Sequence, residues 1–171
     1  MEPHELLESG EPRTVQRSVG VTMAVFAACL AVVTLMGHRL HTEEVVLQTQ
    51  TADGWAYYQA KNTRSQMYAA DAKLAELQGP SGTALAATWV DKADQEKRDA
   101  DAIRHSTEDL ERETQSAARR ATMFDAAEVF VEIAIVLCSV SLLTSASVFW
   151  RVSFLSTALG VIVAAIGFLG H

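Results

Sequence analysis

The sequence is poor in the features on which most catalytic scaffolds are built. It has no glycine-rich phosphate loop, no G-x-S-x-G elbow and no H-E-x-x-H pair, so the common phosphoryl-transfer, hydrolase and metalloprotease signatures are missing. Its two cysteines, Cys29 and Cys138, both lie within apolar runs, where thiols usually act as small hydrophobes. Neither a disulfide framework nor a zinc pattern follows from them, and no activating base accompanies either as a nucleophile. The sole asparagine, Asn62, is not in a glycosylation triplet. Positive charge is also scarce: 14 Lys and Arg stand against 21 Asp and Glu, a net charge of -7. Phosphate binding requires a basic face, so nucleic acid is not an expected partner. The sequence therefore predicts a non-enzyme that needs no cofactor.

What the chain does have is long uncharged apolar runs, from Ser18 to Gly37, from Ile133 to Trp150 and from Val152 to Gly170. Each is long enough to cross about 30 Å of hydrocarbon as a helix. Thr144, Ser145, Ala146 and Ser147 form the polar break between the last two, which places one span at 127–143 and another at 148–170. Arg151 then snorkels to the interface. The expected fold is all-α: an N-terminal polar segment (1–17), a first transmembrane helix (18–37), an extramembrane helical hairpin (38–126) and two further transmembrane helices. Arg13 and Arg17 before the first run have the look of a signal peptide. The apolar stretch exceeds an h-region of about 7–15 residues, so an uncleaved anchor is expected. Ala27, Ala28 and Cys29 make only a faint lipoprotein box, because Phe26 stands where a branched aliphatic is preferred.

Charge at the short flanks sets orientation, since long translocated segments carry little weight in the positive-inside bias. Arg13, Arg17 and Arg151 collect on one side, which is expected to be cytoplasmic in a bacterial inner membrane. The hairpin and His171 then lie on the outer, periplasmic side, with Arg39 dissenting.

The middle segment is charged and helical. Residues 39–131 hold 11 Lys or Arg and 16 Asp or Glu, and Gly79, Pro80, Ser81 and Gly82 are the strong breaker cluster within them. A turn is expected at 79–82, with Ser81 or Thr83 capping the next helix. Downstream, a three-four spacing runs from Ala86, Trp89, Ala93, Glu96 and Ala100 through Phe124, Glu128 and Val131, the signature of a coiled-coil seam. Upstream, Ala56, Ala60, Thr63, Met67, Ala70, Leu74 and Leu77 share one phase, and Val45, Gln48, Ala52 and Trp55 another, with a stutter near Gly54. An alanine-rich seam buries little area at about 0.8 kcal/mol per methylene, so self-association or a partner protein is expected. Trp55, Tyr57, Tyr58 and Trp89 are the candidate interaction aromatics, the plainer reading being that they pack on the facing arm. The nine acidic and five basic residues from Asp91 to Glu113 fit a solvated helix face, with no loop able to wrap calcium.

Ionisable residues gather where the hairpin meets the spans: His38, Arg39, His41 and Glu44 after the first, Glu128 and Glu132 entering the second. Three readings are open. The glutamates pair with His38, Arg39 or His41 and fix register; the group lines a proton or cation path; or it holds a metal, against which stands the absence of Glu-x-x-His pairs. In the third span, Ser156, Gly160 and Ala164 recur every four residues, a small-x-x-x-small packing face.

The stretches GHRLHTEEVVLQTQ (37–50), WAYYQAKNTRSQMY (55–68) and FDAAEVFVEIAIVLCSVSLLT (124–144), in this order around a charged middle, resemble the bacterial membrane family known as domain of unknown function 4337. The resemblance covers nearly the whole chain. It implies one N-terminal span, a helical insert and two C-terminal spans, and brings no activity, cofactor or site residue. The sequence thus points to a membrane-anchored scaffold or accessory subunit, associated with the bilayer and with itself or a larger membrane complex. An oligomeric ion or proton pathway through Glu128 and Glu132 is the alternative.

Overall fold

A computed structural model describes the backbone of residues 11–170 and side chains from residue 16. The polar segment before Glu11, the Arg13 side chain and His171, which entered the orientation argument, lie outside the described residues. Among these residues every element is helical: α1 (Glu11–Glu76), a single 3-10 turn (Gly79–Ser81), α2 (Thr83–Thr144) and α3 (Ser147–Leu169). All three α-helices contain a stretch long and apolar enough to cross a membrane. No helix end falls at residue 37 or 126, because no breaker stands there beyond the lone Gly37, and one glycine costs a helix only about 1 kcal/mol.

Both chain reversals come from local chemistry. Gly79 takes a φ of 73°, a left-handed conformation that only glycine adopts cheaply, and Pro80 opens the turn that follows. The Gly82 carbonyl accepts from the Ala86 N–H at 2.8 Å to begin α2. The Ser81 hydroxyl donates to the Gln78 carbonyl at 3.1 Å, so it closes the turn and does not cap α2. The second reversal occupies two residues, Ser145, with φ 56°, and Ala146. The Ser141 hydroxyl donates to the Ala146 carbonyl at 3.0 Å, which supplies a partner for backbone freed by the break.

The chain divides into two units, one made of residues up to Thr42 with those from Ser116 onward, the other of Glu43–Gln115. In the first, α1, α2 and α3 share an apolar core of Val19, Phe26, Val131, Ala134 and Cys138, flanked by Met23, Leu30, Ile135, Leu142 and Trp150. Phe154 meets Phe26 and Trp150 edge to face at 5.5 and 5.6 Å. The Trp150 indole donates to the Thr22 hydroxyl at 3.3 Å, and the Cys138 thiol donates to Ser153 Oγ at 3.3 Å. Small residues bring α3 onto α2: Ser156 Oγ donates to the Phe130 carbonyl at 2.6 Å, and a β-carbon at Gly160 would stand 3.0 Å from the Ala127 carbonyl oxygen.

In the second unit the contacts pair in reverse order along the two helices. Tyr68 stacks on Trp89 at 5.3 Å, Ser65 Oγ donates to the Ala93 carbonyl at 2.8 Å, and Lys61 reaches Asp99 at 2.9 Å and Glu96 at 3.0 Å. Thr51 and Thr114 share a 3.2 Å hydroxyl contact. A β-carbon at Gly54 would collide with the buried Thr107 side chain, so this glycine marks a point of closest approach. The buried and half-buried positions of α2 follow the expected seam from Ala86 to Thr114. On α1 they do not: the inward stripe is Glu44, Leu47, Thr51, Gly54, Tyr58, Lys61, Ser65, Tyr68, Ala72 and Ala75. The upstream apolar phase expected to face the other arm is instead exposed, with Met67 at 59%, Leu74 at 61% and Leu77 at 83%. Small and polar residues win the inward face because they let the backbones approach and find partners across the gap.

The Lys61 ammonium donates to Asp99 and holds its carboxyl below the ordinary range, and Asp99 with Glu96 pushes the Lys61 pKa upward. A carboxyl depressed on folding adds stability above its unfolded value, about 3.9, which is lost as pH falls through the lower folded value. Asp99→Asn should therefore lower the melting temperature of the full chain in detergent at pH 7, and the gap from wild type should narrow as pH falls below the ordinary carboxylate range. A gap that stays constant over that fall in pH would sink the assignment.

Candidate functional site

Of the ionisable residues singled out in the sequence, all but Glu44 fall in the first unit, His38, Arg39, His41 and Glu128 near the end where α1 and α2 lie side by side. Thr34 Oγ1 donates to Glu128 Oε1 at 2.8 Å. About two turns further along α1, His41 Nε2 lies 3.0 and 3.1 Å from the two oxygens of Asp125. Between these pairs, a β-carbon on Gly37 would sit 3.7 Å from Phe124 Cβ, so the helices stay close without strain.

This partnering differs from the expected one. His38 and Arg39 are exposed, and neither pairs with Glu128 or Glu132. Glu44 belongs to the other unit and is half-buried there. The two glutamates separate as well. Glu128 is half-buried against Thr34, whereas Glu132 is exposed among Val129, Ile133 and Val136, themselves 51%, 45% and 61% exposed. Residues four apart advance about 40° around a helix of 3.6 residues per turn. That rotation carries Glu132 off the edge of the packed face on which Glu128 sits. Among the described residues no three of His, Cys, Asp and Glu lie close enough to hold a metal ion together.

The sequence reading missed Thr34 and Asp125. Thr34 is an isolated hydroxyl in an apolar run, and Asp125 directly follows the seam residue Phe124. A polar residue in such a run is a usable signal only when a partner can be placed against it, and the partner is 94 positions away.

At the other end of the same unit, the Thr22–Trp150 contact brings the start of α3 beside the start of the described α1 side chains. Exposed Arg17 and Arg151 flank that contact in sequence. From Thr22 to His41 the helix rises about 29 Å at 1.5 Å per residue. One end of the unit thus carries Arg17 and Arg151, and the other carries His41, Asp125 and Glu128 with Arg39, Arg119 and Arg120 close by in sequence; Glu132 lies about 10 Å along α2 from Asp125 toward the Arg17 end.

The other candidate residues have ordinary packing roles in the chain itself. Ser156 and Gly160 are buried and Ala164 half-buried, with Ser156 and Gly160 meeting α2 of the same chain. Trp89 stacks on Tyr68, which was not among the candidate aromatics, with Lys92 Nζ 4.4 Å above the Trp89 ring. Trp55 meets Tyr58 edge to face at 5.7 Å. Of the four aromatics only Tyr57 is exposed, at 52%.

A family model described as domain of unknown function (DUF4337) matches residues 15–170, nearly the whole chain. The chain belongs to the DUF4337 family. No curated protein and no solved structure matches it. For a DUF4337 chain the chemistry must therefore be argued from its own residues, and the two helix-bridging pairs are the most specific polar contacts of the first unit. If the Thr34 bond fixes Glu128, Thr34→Val leaves a half-buried carboxylate oxygen without its donor, at a cost of about 1–3 kcal/mol. Denaturation of the full chain in detergent should show that loss, and a Glu132→Gln control should show none; equal losses would mean that the outward carboxylate is held as firmly as the inward one.

Proposed function

We propose that this DUF4337 protein is a membrane-anchored helical scaffold or accessory subunit, with three transmembrane helices and an antiparallel coiled-coil hairpin outside the bilayer. It would assemble with itself or with a larger membrane complex. The observation that carries the reading is the distribution of apolar surface in the first unit. A few apolar side chains, Val19, Phe26 and Val131 among them, fill its core between small residues, while large side chains such as Val25, Leu35, Val136, Leu155 and Phe168 point outward, all more than half exposed. In water such a surface would aggregate; in lipid it is the expected exterior. The rise of about 29 Å between the Thr22–Trp150 end and the His41–Asp125 end matches about 30 Å of hydrocarbon. Arg17 and Arg151 at one end favour a cytoplasmic location for that end by the positive-inside bias, in a bacterial inner membrane, with the hairpin periplasmic. The Lys61, Glu96 and Asp99 group between the hairpin arms supports a register role there, since a polar group in a seam penalises slipped pairings.

Gentle extraction from native membranes, followed by particle mass and identification of co-purifying chains, tests this. The expected result is a particle larger than one chain, made of identical copies or of stoichiometric partners. A homogeneous monomer without partners would overturn the scaffold reading.

An oligomeric proton or cation pathway is a second reading, and one observation favours it: Glu132 is an exposed carboxylate about 10 Å inside the proposed span. A carboxylate at that depth is costly unless it meets protein or water. On this reading a Glu132→Gln variant reconstituted in liposomes loses proton or cation flux that the wild type supports. Flux unchanged by the substitution would remove Glu132 from any pathway.

A further inference from the structure

The exposed stripe on the α1 arm of the second unit is a second helix-pairing face, distinct from the one turned toward α2. Ala60, Thr63, Met67, Ala70 and Leu74 on α1, and Leu77 directly after its last residue, follow one another at three-four spacing, and all six are exposed. A run of that period on a solvated arm is a seam without its partner helix.

We propose that the partner is the same stripe of a second copy, packed antiparallel about a two-fold axis between Met67 and Ala70. When one helix is reversed, each core position of one repeat type meets the other type, and each flanking row meets its own counterpart. This register sets Met67 against Ala70 of the second copy, Leu74 against Thr63 and Leu77 against Ala60. Every layer then joins a large side chain to a small one, as dense packing requires. A parallel alignment would instead place Met67, Leu74 and Leu77 on their own counterparts and leave the alanine layers underfilled.

Charge gives an independent argument for self-pairing. Arg64 and Asp71 flank the stripe on one side, seven residues apart, and Gln66 and Lys73 flank it on the other. In the antiparallel register Arg64 faces Asp71 of the second copy twice over, and Gln66 faces Lys73, so no like charges meet. Flanking charges of this kind select partner and orientation. A two-fold contact uses one patch on both copies and closes the assembly without leaving a free half. With the hairpins outside the bilayer, copies inserted side by side in one membrane hold their α1 arms parallel, so the antiparallel contact forms between chains of two apposed bilayers or between copies extracted into detergent.

This pairing deepens the self-assembly reading and depends on it. The test uses the full chain in detergent, with particle mass by light scattering across a concentration series. Met67→Glu changes only the outward face and should weaken dimerisation at least about tenfold while leaving the helical melting curve unchanged. Asp71→Arg and Arg64→Asp should each weaken the homodimer, because like charges then oppose across the axis. Mixing the two variants should restore a heterodimer, in which both flanking pairs are again Arg against Asp. Arg64 also lies 3.7 Å from Glu96 within its own chain, so the Asp71→Arg and Met67→Glu results decide the matter if Arg64→Asp does not fold. A wild type that is monomeric at all concentrations overturns both this pairing and homotypic assembly. An oligomer untouched by Met67→Glu overturns this interface alone, and loss on Met67→Glu without rescue on mixing, where both charge variants fold, overturns the antiparallel register.

Discussion

Helix backbones approach closely only where side chains are small, and in both units that requirement decides which groups face inward. In the first unit Ser153, Ser156, Gly160 and Gly167 are the points at which α3 settles on α2. In the second, Gly54 against Thr107 and Ser65 against the Ala93 carbonyl do the same for the two arms. Close approach gains dispersion contacts, but it also traps backbone and side-chain polar atoms that water can no longer reach. Those atoms need partners inside the protein, and the hydroxyls of Ser65, Ser141 and Ser156 supply them from short side chains that fit the gap.

The same constraint separates polar groups that belong to the packing from those that do not. Glu128, Thr34, His41, Asp125, Lys61 and Asp99 all reach across between helices and are satisfied there. Glu132 does not. It stands on a surface of valine and isoleucine that, on the membrane reading, meets lipid or another protein. A partner protein is the less costly environment, so the outward position of this one carboxylate and the outward apolar stripe of the α1 arm lead to the same expectation of assembly. They do so in different units and from different physics, desolvation of charge in one and unburied apolar area in the other.

Much of the architecture was legible in the residues. The Gly79-Pro80-Ser81-Gly82 cluster marks a reversal because Gly79 supplies a positive φ and Pro80 opens the turn, and the polar break at Thr144 to Ser147 contains the end of α2. The α2 stripe from Ala86 to Thr114 was readable because it is both periodic and the least polar face of that helix. The α1 stripe was not, because its most apolar face is the one turned outward. Counting hydrophobic residues selects Met67, Leu74 and Leu77, whereas the packing selects Thr51, Gly54, Ser65 and Ala72. Glu128 was identified as a boundary residue, but its partner Thr34 carries no signal until α1 is laid against α2.

From the sequence alone one can determine that the chain is helical, where it turns back and which stretches are apolar enough for a bilayer. These follow from local propensity, breaker residues and composition, none of which needs a neighbour; the family follows separately, from likeness along the chain. Only the tertiary structure decides which side of α1 faces α2, that His41 takes Asp125, and that Glu128 is held while Glu132 is not. Those outcomes depend on the size of two side chains at once and on where the edge of the packed face falls within the rotation of about 40° from Glu128 to Glu132, and neither is fixed until one helix is laid against another.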